Sequence, residues 1–333
     1  MTALEIEVGW RDGAIRSVGV TSQRPQPSRL LAGLEPATVL ALLARLYAVC
    51  GRAQRACAEL ALAAAGGPAL GAAHRAELGR AVAAEAAQEH LWRLLLDWPG
   101  ALGLAPQQAE FKRWYGRIAA DATLWPAELR AALENDWLGL PLEQLAAFAD
   151  LARFDAWRGA SRAPLAALFA RLGAEPAGAC QTPGPTLASE SECTLAACAE
   201  HPWVAALGGA GRWLEAHVAA RLLGLAAVLA GLGGGAGIEM DALTPAPARG
   251  TALVATARGM LEHDVTLSNG QVAAYTITTP TDFNFAPDGP FARRLRGLAA
   301  AGAAEARRAA TLWTLAFDPC VAYAVGVREL GHA

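Results

Sequence analysis

Two of the six cysteines stand apart by their surroundings. Cys50 lies in Arg45-Leu46-Tyr47-Ala48-Val49-Cys50-Gly51, and Cys320 in Phe317-Asp318-Pro319-Cys320-Val321-Ala322-Tyr323. A thiolate is a nucleophile and a soft metal ligand. Neither residue belongs to a Cys-x-x-Cys pair, so neither segment is a zinc site by itself. A lone cysteine is by default a small buried hydrophobe, and Cys57, Cys180, Cys193 and Cys198 are read that way. Six cysteines in 333 residues are too sparse for a disulfide framework. Other catalytic patterns are missing. The glycines at 231–237 lack a following Lys-Ser/Thr, and no Gly-x-Ser-x-Gly elbow or His-Glu-x-x-His helix occurs.

A third segment singles out Cys50 and Cys320. It reads Arg258-Gly259-Met260-Leu261-Glu262-His263, then an Asn269-Gly270 hairpin, then Tyr275, then Thr279-Pro280-Thr281-Asp282-Phe283-Asn284. With the two cysteine segments, in this order, it resembles the large subunit of [NiFe] hydrogenases. That family carries R-x-C-x-x-C near its start and D-P-C-x-x-C near its end, four thiolates for a nickel–iron centre. Between them lie A-P-R-G-x-L-x-H, a hairpin with D-G and Y, and V-P-T-x-W-N. The first hairpin of this chain also resembles the strand that follows the family's R-I-E-G-H run.

The departures carry information too. Aligned on Arg45, the first family cysteine is Tyr47, the second is Cys50 and the following histidine is Gln54. At the other end the cysteines become Cys320 and Tyr323, and the histidine becomes Gly326. No residue matches the R-I-E-G-H glutamate, and the long peptide removed from maturing large subunits has no obvious counterpart. Neutral phenols are poor substitutes for thiolates, so no nickel is expected.

A single iron carrying one carbon monoxide and two cyanides remains a fit. With two thiolates this Fe(CN)2CO unit has a formal charge of −2, and burying it takes donors and a compensating cation. The resemblance assigns Cys50 and Cys320 to the iron, although one matches a bridging and the other a nickel-terminal position. It assigns Arg258 and Thr281, after Pro280, to the cyanides. This degenerate pattern is similar to the HupK/HoxV-type hydrogenase expression/formation proteins. The similarity implies a non-enzymatic scaffold that carries the iron unit transiently. The implied partners are a HypC-type chaperone, HypD and the apo large subunit. The competing reading is a metal-free paralogue that binds the small subunit or a chaperone by mimicking the large subunit.

The elements that must position these residues are mostly helical. Residues 3–21 alternate around Arg11-Asp12-Gly13 as a β-hairpin. Helical periodicity runs over 36–65, 72–97, 106–121, 126–136, 141–157, 163–172 and 209–231. Residues 174–200 form a Pro/Gly/Ser/Thr-rich loop. Strand texture returns at 251–255 and 260–278, where Asn-Gly is a strong hairpin signal. Residues 290–333 are read as a C-terminal helical segment holding Cys320. The expectation is one α+β domain over 1–333, mostly helical, with small antiparallel sheets near both ends.

Composition agrees. Hydrophobic residues make up 54% and charged residues 18%, enough apolar material for a large core. A net charge of −3, with Lys112 the sole lysine, gives no sign of nucleic-acid or anionic-membrane binding. The start, Met1-Thr2-Ala3-Leu4-Glu5, has no basic region leading into an apolar run. The apolar stretch Leu222–Ile238 is short and glycine-rich for a membrane span. A cytoplasmic protein without membrane insertion is expected.

His90 and the tryptophans around it read as helix packing. His263 reads as a structural hydrogen-bonding residue.

Overall fold

The computed structural model describes residues 4–23, 28–47, 49–120, 125–176, 194–234 and 238–331. Strand β1 (Leu4–Arg11) buries Leu4, Ile6 and Val8 on one face. Asp12 and Gly13, both at positive φ, turn it into β2 (Ala14–Ser22). That twist suits a two-residue hairpin.

Four helices follow: α1 (Ser28–Leu31), α2 (Pro36–Leu46), α3 (Gly51–Ala64) and α4 (Ala72–Trp92). The continuous helix expected over 36–65 is broken between α2 and α3. Tyr47 leaves the helix in extended conformation, and the chain re-enters it after Cys50. The break puts Cys50 at a helix start instead of inside a helix. α4 runs on into a π-helical turn, Arg93–Asp97. Such turns re-aim side chains at functional sites.

Downstream, the segment expected as one helix over 141–157 splits into a 3₁₀ stretch, Leu142–Ala149, and the helix Leu151–Ala160. Asp150 makes the break by capping Ala152 and Arg153. Most of the expected 174–200 loop lies outside the described residues. The long apolar helix is Trp213–Gly233. It is the one described helix long and apolar enough to cross a membrane, and Leu214, Val218, Leu222 and Leu225 on it are buried in the core.

The second sheet has order β3 (Met240–Ala246), β4 (Arg249–Thr256), β5 (Gly259–Ser268) and β6 (Gln271–Thr278), all antiparallel. Asn269 and Gly270 form the expected β5–β6 turn, both at positive φ. Ala257 and Arg258 are the two-residue turn between β4 and β5. At Gly250, a Cβ would strike the backbone of Ala61 and Ala65, so glycine lets β4 lie directly on α3.

Short helices at Pro280–Asn284 and Pro290–Leu295 lead to the helix Ala303–Phe317. The last segment, expected as helix, forms strand β7 (Tyr323–Glu329). Tyr323, Val325 and Val327 alternate with exposed residues, a period of two. β7 joins β1 in parallel, so the first sheet is mixed rather than purely antiparallel.

Two apolar clusters result. The larger gathers the first sheet and most helices. The smaller packs α1, α2 and α3 on the four-stranded sheet. α4 belongs to both: Leu78 and Val82 face the smaller, Ala87 and Leu91 the larger.

Candidate metal centre

The seam between the two clusters is where the chemistry-bearing residues meet. One small cleft is lined by Cys50, Gln54, Thr256, Arg258, Leu261, Thr279, Pro280, Thr281 and Cys320. All five residues singled out from the sequence are among them. The two cysteines, distant in sequence, line the same cleft. Both are free thiols and half-buried. The enclosed space, about 20 Å³, suits a single water. A larger group would sit across its mouth.

Each residue is placed by an identifiable device. Cys50 precedes α3, whose first N–H groups need partners. Glu85 on α4 supplies them, accepting from Arg52 and Ala53 at 2.8 and 3.0 Å. Gln54, one turn into α3, donates to the Cys50 sulfur at 3.8 Å. Its carbonyl oxygen accepts from His263 Nε2 at 2.8 Å, and His263 Nδ1 faces Tyr275 OH at 2.8 Å. His263 is therefore the structural residue expected, and burial pushes its pKa down to about 3.

On the other wall, Thr279 and Asp282 form a capping box that fixes the Pro280 helix. Thr281 Oγ1 accepts from Cys320 N at 3.1 Å and donates to Cys320 Sγ at 3.3 Å. The hydroxyl that the resemblance assigns to a cyanide is seen here bonded to the cysteine.

A largely buried network of ion pairs backs the cleft. Arg258 is buried, its Nε donating to the Asp318 carbonyl at 3.1 Å and its other arm paired with Glu89. Asp318 ends the helix Ala303–Phe317 in left-handed conformation. Arg93 reaches its carboxylate at 2.6 Å and Arg221 at 3.0 Å. Burial alone would raise the Asp318 carboxyl. Arg258, then Arg93 and Arg221, outweigh it and hold the group well below the usual range. Glu89 goes the other way. Burial outweighs the pull of Arg258 and raises it to about 8. Three guanidiniums, Arg258, Arg93 and Arg221, thus surround the Asp318 carboxylate, with Glu89 paired to Arg258 and Asp97 to Arg93.

The Cys50 thiol is held protonated. Its hydrogen bond to Cys320 comes first, then burial, then the negative charges of Cys320, Glu89 and Glu85. A metal held by this thiol would displace its proton, and its affinity would then depend on pH.

The remaining residues fall outside the cleft. Tyr47 packs on the smaller cluster and Tyr323 on the larger. Cys57 is buried, its thiol donating to Ala252 O at 3.3 Å. Cys198 donates to Ala220 O at 3.5 Å. Cys180 and Cys193 lie outside the described residues. Among the described residues no group of three or more His, Cys, Asp or Glu is arranged to hold a metal ion. Two thiols alone leave a bare ion under-coordinated, but suffice for a metal arriving with its own ligands.

Sequence reasoning missed Gln54 as a cysteine partner, and it missed the buried charges Glu89, Arg221 and Asp318 and the half-buried Glu85 and Arg93. Asp318 had a signal, since it stands in the quoted Asp-Pro-Cys run.

No protein-family model matches the chain. Among solved structures, it superposes on the Ni-Fe-Se hydrogenase from Desulfomicrobium baculatum with a TM-score of 0.58 at 12% identity, covering 94% of this chain and 95% of that one. The Ni-Fe-Se hydrogenase from D. vulgaris Hildenborough gives 0.57 at 15% identity, covering 93% and 94%. The fold is that of the [NiFe] hydrogenase large subunit. By sequence it is 32% identical to the hydrogenase expression/formation protein HupV of Azotobacter chroococcum mcd 1, over 97% of this chain and 98% of that protein. It is 32% identical to HupK of Azotobacter vinelandii, again over 97% and 98%. HupK of Rhodobacter capsulatus is 34% identical over 97% and 96%. A hydrogenase large-subunit frame with half its thiolates, together with these near-full-length relatives, places the chain in the HupK/HupV/HoxV family of hydrogenase expression/formation proteins.

Proposed function

We propose that this protein is a scaffold in [NiFe] hydrogenase maturation, holding the Fe(CN)2CO unit as cargo and passing it to the apo large subunit. The observation that carries this reading is the pair of thiols that line one cleft with Arg258, a member of an arginine cluster. Cys50 and Cys320 supply two thiolates. Arg258 offers charge and N–H groups to a cyanide, Thr281 offers a hydrogen bond, and Pro280 gives an apolar wall. Arg258, which lines the cleft, supplies a cation beside a cargo of formal charge −2. Tyr47 and Tyr323 stand where the resemblance places the other two cysteines, and they pack against the two apolar clusters. The partners in this reading are a HypC-type chaperone and HypD, with the apo large subunit as recipient. The setting is cytoplasmic and the role is carriage, not catalysis.

Infrared spectroscopy of protein purified anaerobically from a host with intact maturation genes tests this. Bound carbon monoxide and cyanide absorb where protein does not. The expected result is bands in the wild type that disappear in Cys50→Ala and Cys320→Ala. The two tyrosines favour one other reading, a metal-free mimic of the large subunit. Absent bands with stoichiometric partner binding would establish that reading instead.

A further inference from the structure

The back of the Cys50 loop walls a second, larger recess of about 390 Å³. Val49, Gly51 and Arg52 form one side, Glu85, Gln88 and Glu89 the floor, and Trp92 and Tyr115 the far side. Trp92 and Tyr115 are 40% and 46% exposed, unusual for such large side chains. Phe111 braces both rings, with centroids 6.1 and 5.5 Å away. Six large hydrophobic side chains are exposed among the described residues. Two of them, Trp92 and Tyr115, line this recess together. Exposed aromatics grouped around a pocket are typical anchors of protein recognition.

Charge narrows the partner. Arg52 lines the recess and is exposed, and Lys112 is exposed one helical turn from Tyr115, while Arg55 is paired with Glu59. The carboxylates nearby are engaged. Glu85 caps α3, Glu59 is buried against Arg55 and His74, and Asp97 holds Trp92 and Arg93. Glu89 is buried against Arg258, and its Oε1 has no hydrogen-bond partner. The reachable charge is thus positive, above an acceptor that a main-chain N–H can satisfy.

We infer that this recess docks an acidic loop of a partner protein, which inserts an apolar or aromatic residue between Trp92 and Tyr115. Because the recess shares the Cys50 loop with the thiol cleft, the partner is the protein that brings the iron unit. That last step rests on the scaffold reading; the docking surface does not.

The test places the photocrosslinker p-benzoylphenylalanine at Tyr115, or at exposed Leu243 on β3 as a control, in cells with intact maturation genes. The expected product is a crosslink from position 115 to an acidic segment of another protein. Its yield should fall at least tenfold in the charge reversal Arg52→Glu with Lys112→Glu, while circular dichroism and melting stay unchanged. A crosslink to a second copy of this chain, to a basic segment, at the Leu243 level, or indifferent to the reversal would overturn the inference. If the charge-dependent crosslink forms but neither protein shows cyanide bands, the docking surface stands and the scaffold reading fails. If the bands are present and the crosslink is not, the docking inference fails alone.

Discussion

Arg258 is the residue on which the site turns. It occupies a two-residue strand turn, lines the thiol cleft and reaches two buried acids. Removing one member of a buried charge network leaves the rest uncompensated, a loss of about 3–5 kcal/mol. Arg258→Ala should therefore unfold at markedly lower urea than wild type. Arg258→Lys should recover much of that stability while losing cyanide bands, because an ammonium lacks the planar fork. Equal band intensity in Arg258→Lys would show that charge alone suffices. Glu89 gives a pH signature. Its folded pKa, about 8, lies above the ordinary carboxyl value of roughly 4.3. Stability from its neutral form is complete below the unfolded value and is lost as pH rises through the folded one. Glu89→Gln should flatten the dependence between about pH 4.3 and 8 and make the variant the more stable at the upper end. Denaturant titrations at pH 5, 7 and 9 measure this, and parallel curves would refute it. Asp318 acts oppositely, since its depressed pKa gives stability above the unfolded value that disappears as pH falls through the folded one.

At the scale of elements, the decisive feature is the break between α2 and α3, stabilised from α4 by Glu85. Loss of a helix cap costs about 1–2 kcal/mol. Glu85→Ala should lower stability by that order and also speed alkylation of Cys50, whose loop the carboxylate tethers. A stability loss without faster alkylation would mean that Glu85 holds the helix but not the cysteine. The β4–α3 contact is equally specific. Gly250→Ala forces a methyl into the α3 backbone, and overpacking of this kind costs about 1–3 kcal/mol. A melting temperature like that of wild type would contradict so close an approach.

At the scale of the molecule, the site is built where two apolar clusters abut. Cys50 belongs to the α3 side of the seam, and Cys320 follows the helix of the larger cluster. A ligand bridging them stabilises only the joined state, by about 2.7 kcal/mol when free cargo stands at about a hundred times its Kd. Cargo-loaded protein should therefore melt several degrees above stripped protein, with slower hydrogen exchange in both α3 and Ala303–Phe317. Slowing confined to one side would indicate attachment through a single cysteine.

The local chemistry was legible in the sequence. Asn269-Gly270 announced its hairpin because few other pairs accept two positive φ values. Leu4, Ile6 and Val8 announced β1 through a period of two. The Cys50, Arg258, Pro280-Thr281 and Cys320 segments pointed to one cleft through their order and kind, which the fold brought together. Tertiary contact decided the rest. Nothing local shows that Glu85 caps a helix from another element, or that the last strand pairs with β1 in parallel. Asp318, Arg93, Arg221 and Glu89 look like ordinary surface charges in one dimension. They become a buried network only when the two clusters close over them, because burial and charge neighbours are properties of the packed chain.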